Sequence, residues 1–169
     1  MPNPQKTKLL KTKNDLPEPV RQAIVAVLND RLADAIDLGT QCKQAHWNVK
    51  GPNFIALHKL FDEVNEAVEE YVDELAERTV QLGGIALGTA RHVAQQTSLS
   101  EYPLTLIAGA DHIEALSDSL AAFGKLSRQA IETSTQKGDA DTADLFTEIS
   151  RGIDKWIWMI EAHQIKIGN

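Results

Sequence analysis

Two histidines and a row of carboxylates between residues 44 and 77, in QAHWNVKGPNFIALHKLFDEVNEAVEEYVDELAE, fall at spacings that a helix can turn into a metal site. His58 and Asp62 are four residues apart, and so are Asp73 and Glu77. On an α-helix each pair shares one face, one turn apart, and is half a metal site. The eleven residues from Asp62 to Asp73 span about 16 Å of helix rise, so no single ion can bridge both halves. A two-fold axis crossing the helix near Ala67 and Val68 would remove the difficulty. It would lay two copies antiparallel, with His58 and Asp62 of one chain opposite the partner's Asp73 and the partner's Glu77. His46 lies before the Gly51-Pro52-Asn53 break and would reach the site from the preceding helix. Mixed nitrogen and oxygen ligation suits iron, zinc or manganese; iron fits the ligand types best, and the lack of a nearby thiolate disfavours a structural zinc knot. The competing reading is a plain solvated face, because acidic residues also stand at 63, 66, 69, 70 and 74 of the same segment.

Four long helices are needed to position these residues. Asp15-Leu16-Pro17-Glu18 reads as a helix start with Asp15 as cap, and apolar residues from Val20 to Ile36 recur with helical period, so helix A is expected from about 16 to the middle or late forties. Asn53 can cap helix B, which is expected to end near Gly83-Gly84. The connection to Pro103 is long for a bundle loop, holds a short helical stretch in TARHVAQQT, and implies a crossover between parallel neighbours. Helix C is expected over about 105–136 and helix D over about 140–164, with Lys137-Gly138-Asp139 closing one and capping the other. One long connection between the second and third of four helices gives an all-α, ferritin-like bundle.

Composition narrows the class. The chain has 169 residues, 43% of them apolar, and a formal charge of -7, which fits one folded domain and works against a nucleic-acid partner. The single Cys42 excludes an internal disulfide and suits buried packing in a reducing compartment. The first residues lack the apolar run of a secretory signal, and no stretch approaches the ~20 apolar residues of a membrane span, so a cytoplasmic protein without a membrane partner is expected. Residues 1–14 carry Lys6, Lys8, Lys11 and Lys13 and read as a flexible basic tail ahead of a bundle domain at 15–169.

QAHWNVKGPNFIALHKLFDE, AERTVQLGGIALGT and DADTADLFTEISRGIDKWIWMIE together resemble the Dps family, the DNA-binding proteins from starved cells or miniferritins, over nearly the whole chain. The family's ligand pattern falls on His46, His58, Asp62, Asp73 and Glu77. The resemblance implies a hollow homo-dodecamer built from two-fold dimers, with a ferroxidase centre holding two irons at each two-fold interface. There Fe(II) would be oxidised, preferably by hydrogen peroxide, and stored as ferric mineral as part of a stress response; zinc could compete for the site. Glu77 could bridge the two irons, and Trp47, beside the first ligand, could donate an electron or simply pack.

The same resemblance places Asp139, Asp141, Asp144 and Glu148 at three-fold pores where iron enters. At the start of helix D these carboxylates also complement the helix dipole, which by itself accounts for the first two. Twelve displayed tails could hold DNA by multivalent, sequence-independent contacts with phosphate, giving a nucleoid-associated protein; the alternative function is thus DNA condensation with the metal site secondary. His92, His112 and His163 lie off the motif and read as surface or hydrogen-bonded histidines, with His112 a weak candidate for an extra metal. Trp156 and Trp158 read as core or interface anchors.

Overall fold

The computed structural model describes residues 9–164, which form α1 (Glu18–Asn48), α2 (Phe54–Gln81), α3 (Ala90–Gln96), α4 (Gly109–Lys137) and α5 (Ala140–Glu161). Among these residues there is no strand, only an isolated bridge that pairs Lys50 with Ala108. The expected element order holds, and the boundaries differ mainly at the start of α4 and the end of α5.

The bundle follows from where the apolar residues fall. Ile113, Leu116, Leu120, Phe123, Ser127, Ala130 and Ser134 are buried at alternating steps of three and four along α4, and Thr142, Phe146, Ile149, Ile153 and Ile160 continue the pattern on α5. Leu57, Phe61, Val64, Val68, Leu75 and Thr79 do the same on α2. Such a repeat keeps one seam facing the neighbouring helix when the axes cross at a shallow angle, so α1 packs along α2 and α4 along α5. Small residues set the closest approaches: Tyr71 of α2 lies so near Gly152 of α5 that a Cβ there would collide with its hydroxyl.

α1 is buried on more than one side. Besides Leu28, Leu32, Leu38 and Cys42, it buries Asn29, Asp34 and Gln41. These polar side chains latch the long crossover by satisfying backbone groups that the loop cannot pair internally. Asn29 donates to the Ile85 carbonyl at 3.1 Å and accepts from the Leu87 N–H at 2.9 Å. Asp34, paired with Arg31 at 2.7 Å, accepts from the Ser98 N–H at 2.6 Å. Gln41 donates to the Ser100 carbonyl at 3.2 Å and accepts from the Ser119 hydroxyl at 2.7 Å, tying crossover to α4. Cys42 packs in this core, and burial pushes its thiol up to about 12, which leaves it inert.

Two expectations at the N-terminus change. Asp15 does not cap α1: Pro17 occupies the cap position without a side-chain hydrogen bond, while Asn14 Oδ1 accepts from the Leu16 N–H at 3.0 Å. With prolines at 17 and 19, the first turn has fewer free N–H groups for a cap to satisfy. The chain is also already attached to the bundle upstream of residue 14. The Leu10 N–H donates to the Gly83 carbonyl at 2.7 Å, Leu9 packs on the core, and Arg21 donates to the Leu82 carbonyl at 2.9 Å. Gly83 permits this with φ +83° and no Cβ, since a Cβ would come within 2.5 Å of the Leu10 carbonyl oxygen. Lys11 and Lys13 are exposed, whereas Lys6 and Lys8 lie outside the described residues.

His112, expected on the surface or hydrogen-bonded, is hydrogen-bonded and buried: Nδ1 meets the Tyr102 hydroxyl at 2.7 Å. Burial lowers its pKa from the ordinary 6.5, against weaker opposing effects of the Leu106 carbonyl and Asp111. The unfolded chain therefore binds a proton that the folded one resists, so this site's contribution to stability is complete above pH 6.5 and is lost as pH falls below it. Thermal midpoints measured from pH 7.5 down to 5 are expected to drop less in His112→Gln than in the parent. Equal drops in the two proteins would rule this out.

Candidate metal centre

The C-terminal end of α1 and the N-terminal end of α2 run side by side because only a short turn through Gly51-Pro52-Asn53 joins them. That turn places His46 against His58, with ring centroids 3.8 Å apart and planes 20° from parallel. Each ring is locked by the other residue's backbone: His46 Nδ1 donates to the His58 carbonyl at 2.7 Å, and His58 Nδ1 donates to the His46 carbonyl at 2.8 Å. Each Nδ1 thereby carries a proton, and in the neutral ring Nε2 keeps a lone pair that has no partner among the described residues. An imidazole whose Nδ1–H is held by a carbonyl, leaving Nε2 free, is typical of metal-binding histidines.

Asp62 stands one turn after His58, half-exposed, with Oδ1 3.9 Å from His46 Nδ1. The same oxygen accepts from the ammonium of Lys43 at 2.5 Å. Lys43 is the largest influence holding the Asp62 carboxyl below the usual carboxylate range, aided by the imidazoles of His46 and His58 and partly offset by burial. Asp62 is thus ionised and preoriented, with the lysine in the place of a counter-cation. Nothing in the spacing of the motif pointed to Lys43, which meets Asp62 only because two helices touch.

Asp73 and Glu77 lie farther along α2 and are exposed. Among the described residues of one protomer, no three His, Cys, Asp or Glu side chains come close enough together to hold an ion. The structure pairs His46 with His58 and sets Asp62 beside them without closing a three-ligand site within the protomer, and it leaves Asp73 and Glu77 farther along α2. Trp47, 67% exposed, does not pack inside the protomer; it lines a groove of about 990 Å³ between α1, α2 and the crossover, along with Lys43, Gln44 and Tyr102.

The four carboxylates near the start of α5 separate into two kinds. Asp139 is buried and committed to the fold: Oδ1 accepts from the Thr142 N–H at 3.0 Å and from Arg78 Nη2 at 2.8 Å, and Oδ2 accepts from the Thr142 hydroxyl at 2.6 Å. Buried, and with three of its roughly four acceptor positions filled, it is not presented to a passing cation. Asp141, Asp144 and Glu148 are exposed, and among the described residues only Asp141 has a nearby cation, Arg78 at 3.8 Å. Glu148 faces α2, where burial, then Glu148, Glu70 and Asp73, raise the pKa of Glu74. These carboxylates form one acidic face across α2 and α5. Of the remaining histidines, His163 is exposed and His92 half-buried. Trp156 is partly buried on the core and Trp158 is exposed.

A ferritin-like domain model matches residues 25–167. The DNA protection during starvation protein of Agrobacterium fabrum is 45% identical over 153 residues, covering 90% of this chain and 94% of that protein. Among solved structures, DpsC from Streptomyces coelicolor superposes with a TM-score of 0.91 at 27% identity, covering 96% of this chain and 95% of its own. The DPS protein from Vibrio cholerae O1, described as a member of a broad superfamily of ferritin-like diiron-carboxylate proteins, superposes with a TM-score of 0.84 at 25% identity, covering 96% and 99%.

Proposed function

Since this chain belongs to the Dps family of ferritin-like proteins, we propose that it is a ferroxidase that oxidises Fe(II), preferably with hydrogen peroxide, and stores the ferric product. The observation that carries this reading is the reciprocal pair of Nδ1 to carbonyl hydrogen bonds, which leaves two Nε2 lone pairs beside an ionised Asp62. Iron here is the substrate. His46, His58 and Asp62 of one protomer would hold it with the partner's Asp73 and the partner's Glu77, two irons per site, with zinc as a competitor for the same nitrogen and oxygen donors. Pairing the metals with one two-electron oxidant would consume Fe(II) and peroxide together, protecting DNA from the radicals they otherwise generate. A closed dodecamer of two-fold pairs would complete all its sites and enclose the mineral.

Asp141, Asp144 and Glu148 would concentrate Fe(II) at the shell's entry points, and Glu70, Asp73 and Glu74 continue that negative face along α2. Asp139 drops out of this role because its oxygens are spent on Arg78 and Thr142.

Complementation tests the shared site. A chain with His46→Ala and His58→Ala and a chain with Asp73→Ala and Glu77→Ala should each be inactive alone. Refolded together, each mixed pair regains one intact site of two, so with random pairing about a quarter of all sites recover rapid oxidation. No recovery in mixed shells of verified size would place the site within a single protomer.

DNA association is the second reading, favoured by the name of the Agrobacterium relative and by the exposed Lys11 and Lys13. Twelve tails carrying Lys6, Lys8, Lys11 and Lys13 would contact phosphate non-specifically around the nucleoid, with a strong salt dependence. Leu9 and Leu10 are anchored to the bundle, so the informative variant removes residues 2–8 and converts Lys11 and Lys13 to Gln. Gel retardation is expected to vanish while iron oxidation stays at the parent rate; retained retardation would assign binding to the body of the shell.

A further inference from the structure

Between α3 and α4 the chain runs from Ser98 to Ile107 without helix, as a strap laid across the bundle. Three buried side chains hold it: Asp34 accepts from the Ser98 N–H at 2.6 Å, Gln41 donates to the Ser100 carbonyl at 3.2 Å, and His112 pairs with Tyr102. At its far end the Ile107 carbonyl accepts from the Lys50 N–H at 2.9 Å. Glu101, Tyr102 and Leu104 of the strap form one wall of the groove that Lys43 and Trp47 also line, so lifting the strap strips that wall from the flank of the candidate metal centre.

Of the three holding groups only the imidazole of His112 has an ordinary pKa between neutrality and about pH 5. The residue is 1% exposed, its Nδ1 lies 2.7 Å from the Tyr102 hydroxyl, and its Nε2 has no hydrogen-bond partner among the described residues. Facing the ring are the Tyr102 hydroxyl and the Leu106 carbonyl from the strap, the Phe61 ring from α2 at 6.4 Å between centroids, and Asp111 from its own helix. α1 approaches through the buried Cys42, which faces Tyr102. Asp111 is exposed, so no buried carboxylate among these groups stands ready to pair with an imidazolium.

In the neutral ring Nδ1 accepts the Tyr102 proton. Protonation from solvent takes that acceptor away, and it leaves a charge and an unpartnered Nε2–H inside the core. Only water can repair this. Both polar groups of the crossover that face the ring belong to the strap, so lifting the strap is the movement that admits water to it.

We propose that His112 is a proton-operated latch that holds residues 98–107 on the bundle near neutrality and releases them in acid. The inference goes beyond the ferroxidase reading and stands without it. Burial lowers the imidazole pKa in the latched state, whereas a hydrated ring returns to the ordinary 6.5, so the released strap binds the proton more tightly. Release is therefore favoured as pH falls below 6.5, and linkage limits the gain to about tenfold between pH 7.5 and 5.5. The helices keep their own apolar seams, which makes the opening local.

Hydrogen exchange read by mass spectrometry on the assembled protein tests the latch, with each rate divided by the intrinsic rate at that pH. The informative peptides contain Ser98 and Lys50, whose N–H groups are bonded to Asp34 and to the strap. A peptide from the middle of α2, around the buried Val64 and Val68, reports global opening. From pH 7.5 to 5.5 the strap peptides of the parent should exchange roughly three- to tenfold faster while the α2 peptide does not. In His112→Gln, whose amide does not titrate, the rise should vanish. Tyr102→Phe loses the hydrogen bond and keeps the imidazole, so its strap should exchange faster than the parent's at pH 7.5 and still respond to pH. A flat profile in the parent, an equal rise in His112→Gln, a parallel rise in the α2 peptide, or a Tyr102→Phe strap that exchanges like the parent's would each overturn the inference.

Discussion

Replacing His46 and His58 together by alanine is expected to slow rapid Fe(II) oxidation by roughly 100-fold or more, because residues that only support metal ligands already change metal affinity or activity by about 10–100-fold and the proposed function makes these rings direct ligands. The geometry also predicts how the single variants behave. Each Nδ1 donates to a backbone carbonyl, and that carbonyl survives when the residue bearing it becomes alanine. His46→Ala therefore leaves His58 with its proton on Nδ1 and its Nε2 free, and His58→Ala does the same for His46. Each single variant should keep one correctly prepared nitrogen and lose less than the pair. Stability should change little, since each lost hydrogen bond contributes about 1 kcal/mol. Stopped-flow absorbance of ferric formation, run beside thermal melts, checks both statements. A double variant oxidising iron at the parent rate would remove these residues from the centre.

Arg78→Ala is expected to be the most destabilising single change outside the apolar core. Its guanidinium, 12% exposed, donates from Nη2 to Asp139 at 2.8 Å and from Nε to the Thr142 hydroxyl at 2.9 Å, and the Asp139 side chain is 1% exposed. Removing the arginine leaves a buried carboxylate without its cation, which costs about 3–5 kcal/mol, a large fraction of a typical domain's stability. Arg78→Lys should recover only part of it, because an ammonium cannot keep the Nε bond to Thr142 and the Nη2 bond to Asp139 at once. Adding Asp139→Asn to Arg78→Ala should restore more, since the orphaned charge disappears while the cap to the Thr142 N–H remains available. Urea midpoints at one fixed protein concentration measure the series; a loss below 1 kcal/mol for Arg78→Ala would mean that the pair is solvated.

The pair also has a place in the proposed function. Arg78 follows Glu77 on α2 and clamps the first turn of α5, which carries Asp141 and leads to Asp144 in the next turn. One buried contact thus sets the spacing between the proposed entry carboxylates and the acidic half of the metal centre.

What the sequence determined by itself was everything governed by periodicity along one element. Apolar residues three and four apart specified four bundle helices and the short α3 in the crossover, and the two pairs of candidate ligands at i and i+4 lie too far apart on one helix to meet. Tertiary structure decided what depends on which elements touch. The tautomers of His46 and His58, the ammonium of Lys43 on Asp62, the withdrawal of Asp139 into a cap, the latches from Asn29, Asp34 and Gln41, and the pairing of Tyr102 with His112 all join side chains from different elements or distant turns. Helical periodicity fixes a direction around one axis. It carries no information about the neighbour that will stand there, and the protonation and charge of a buried group are set by that neighbour.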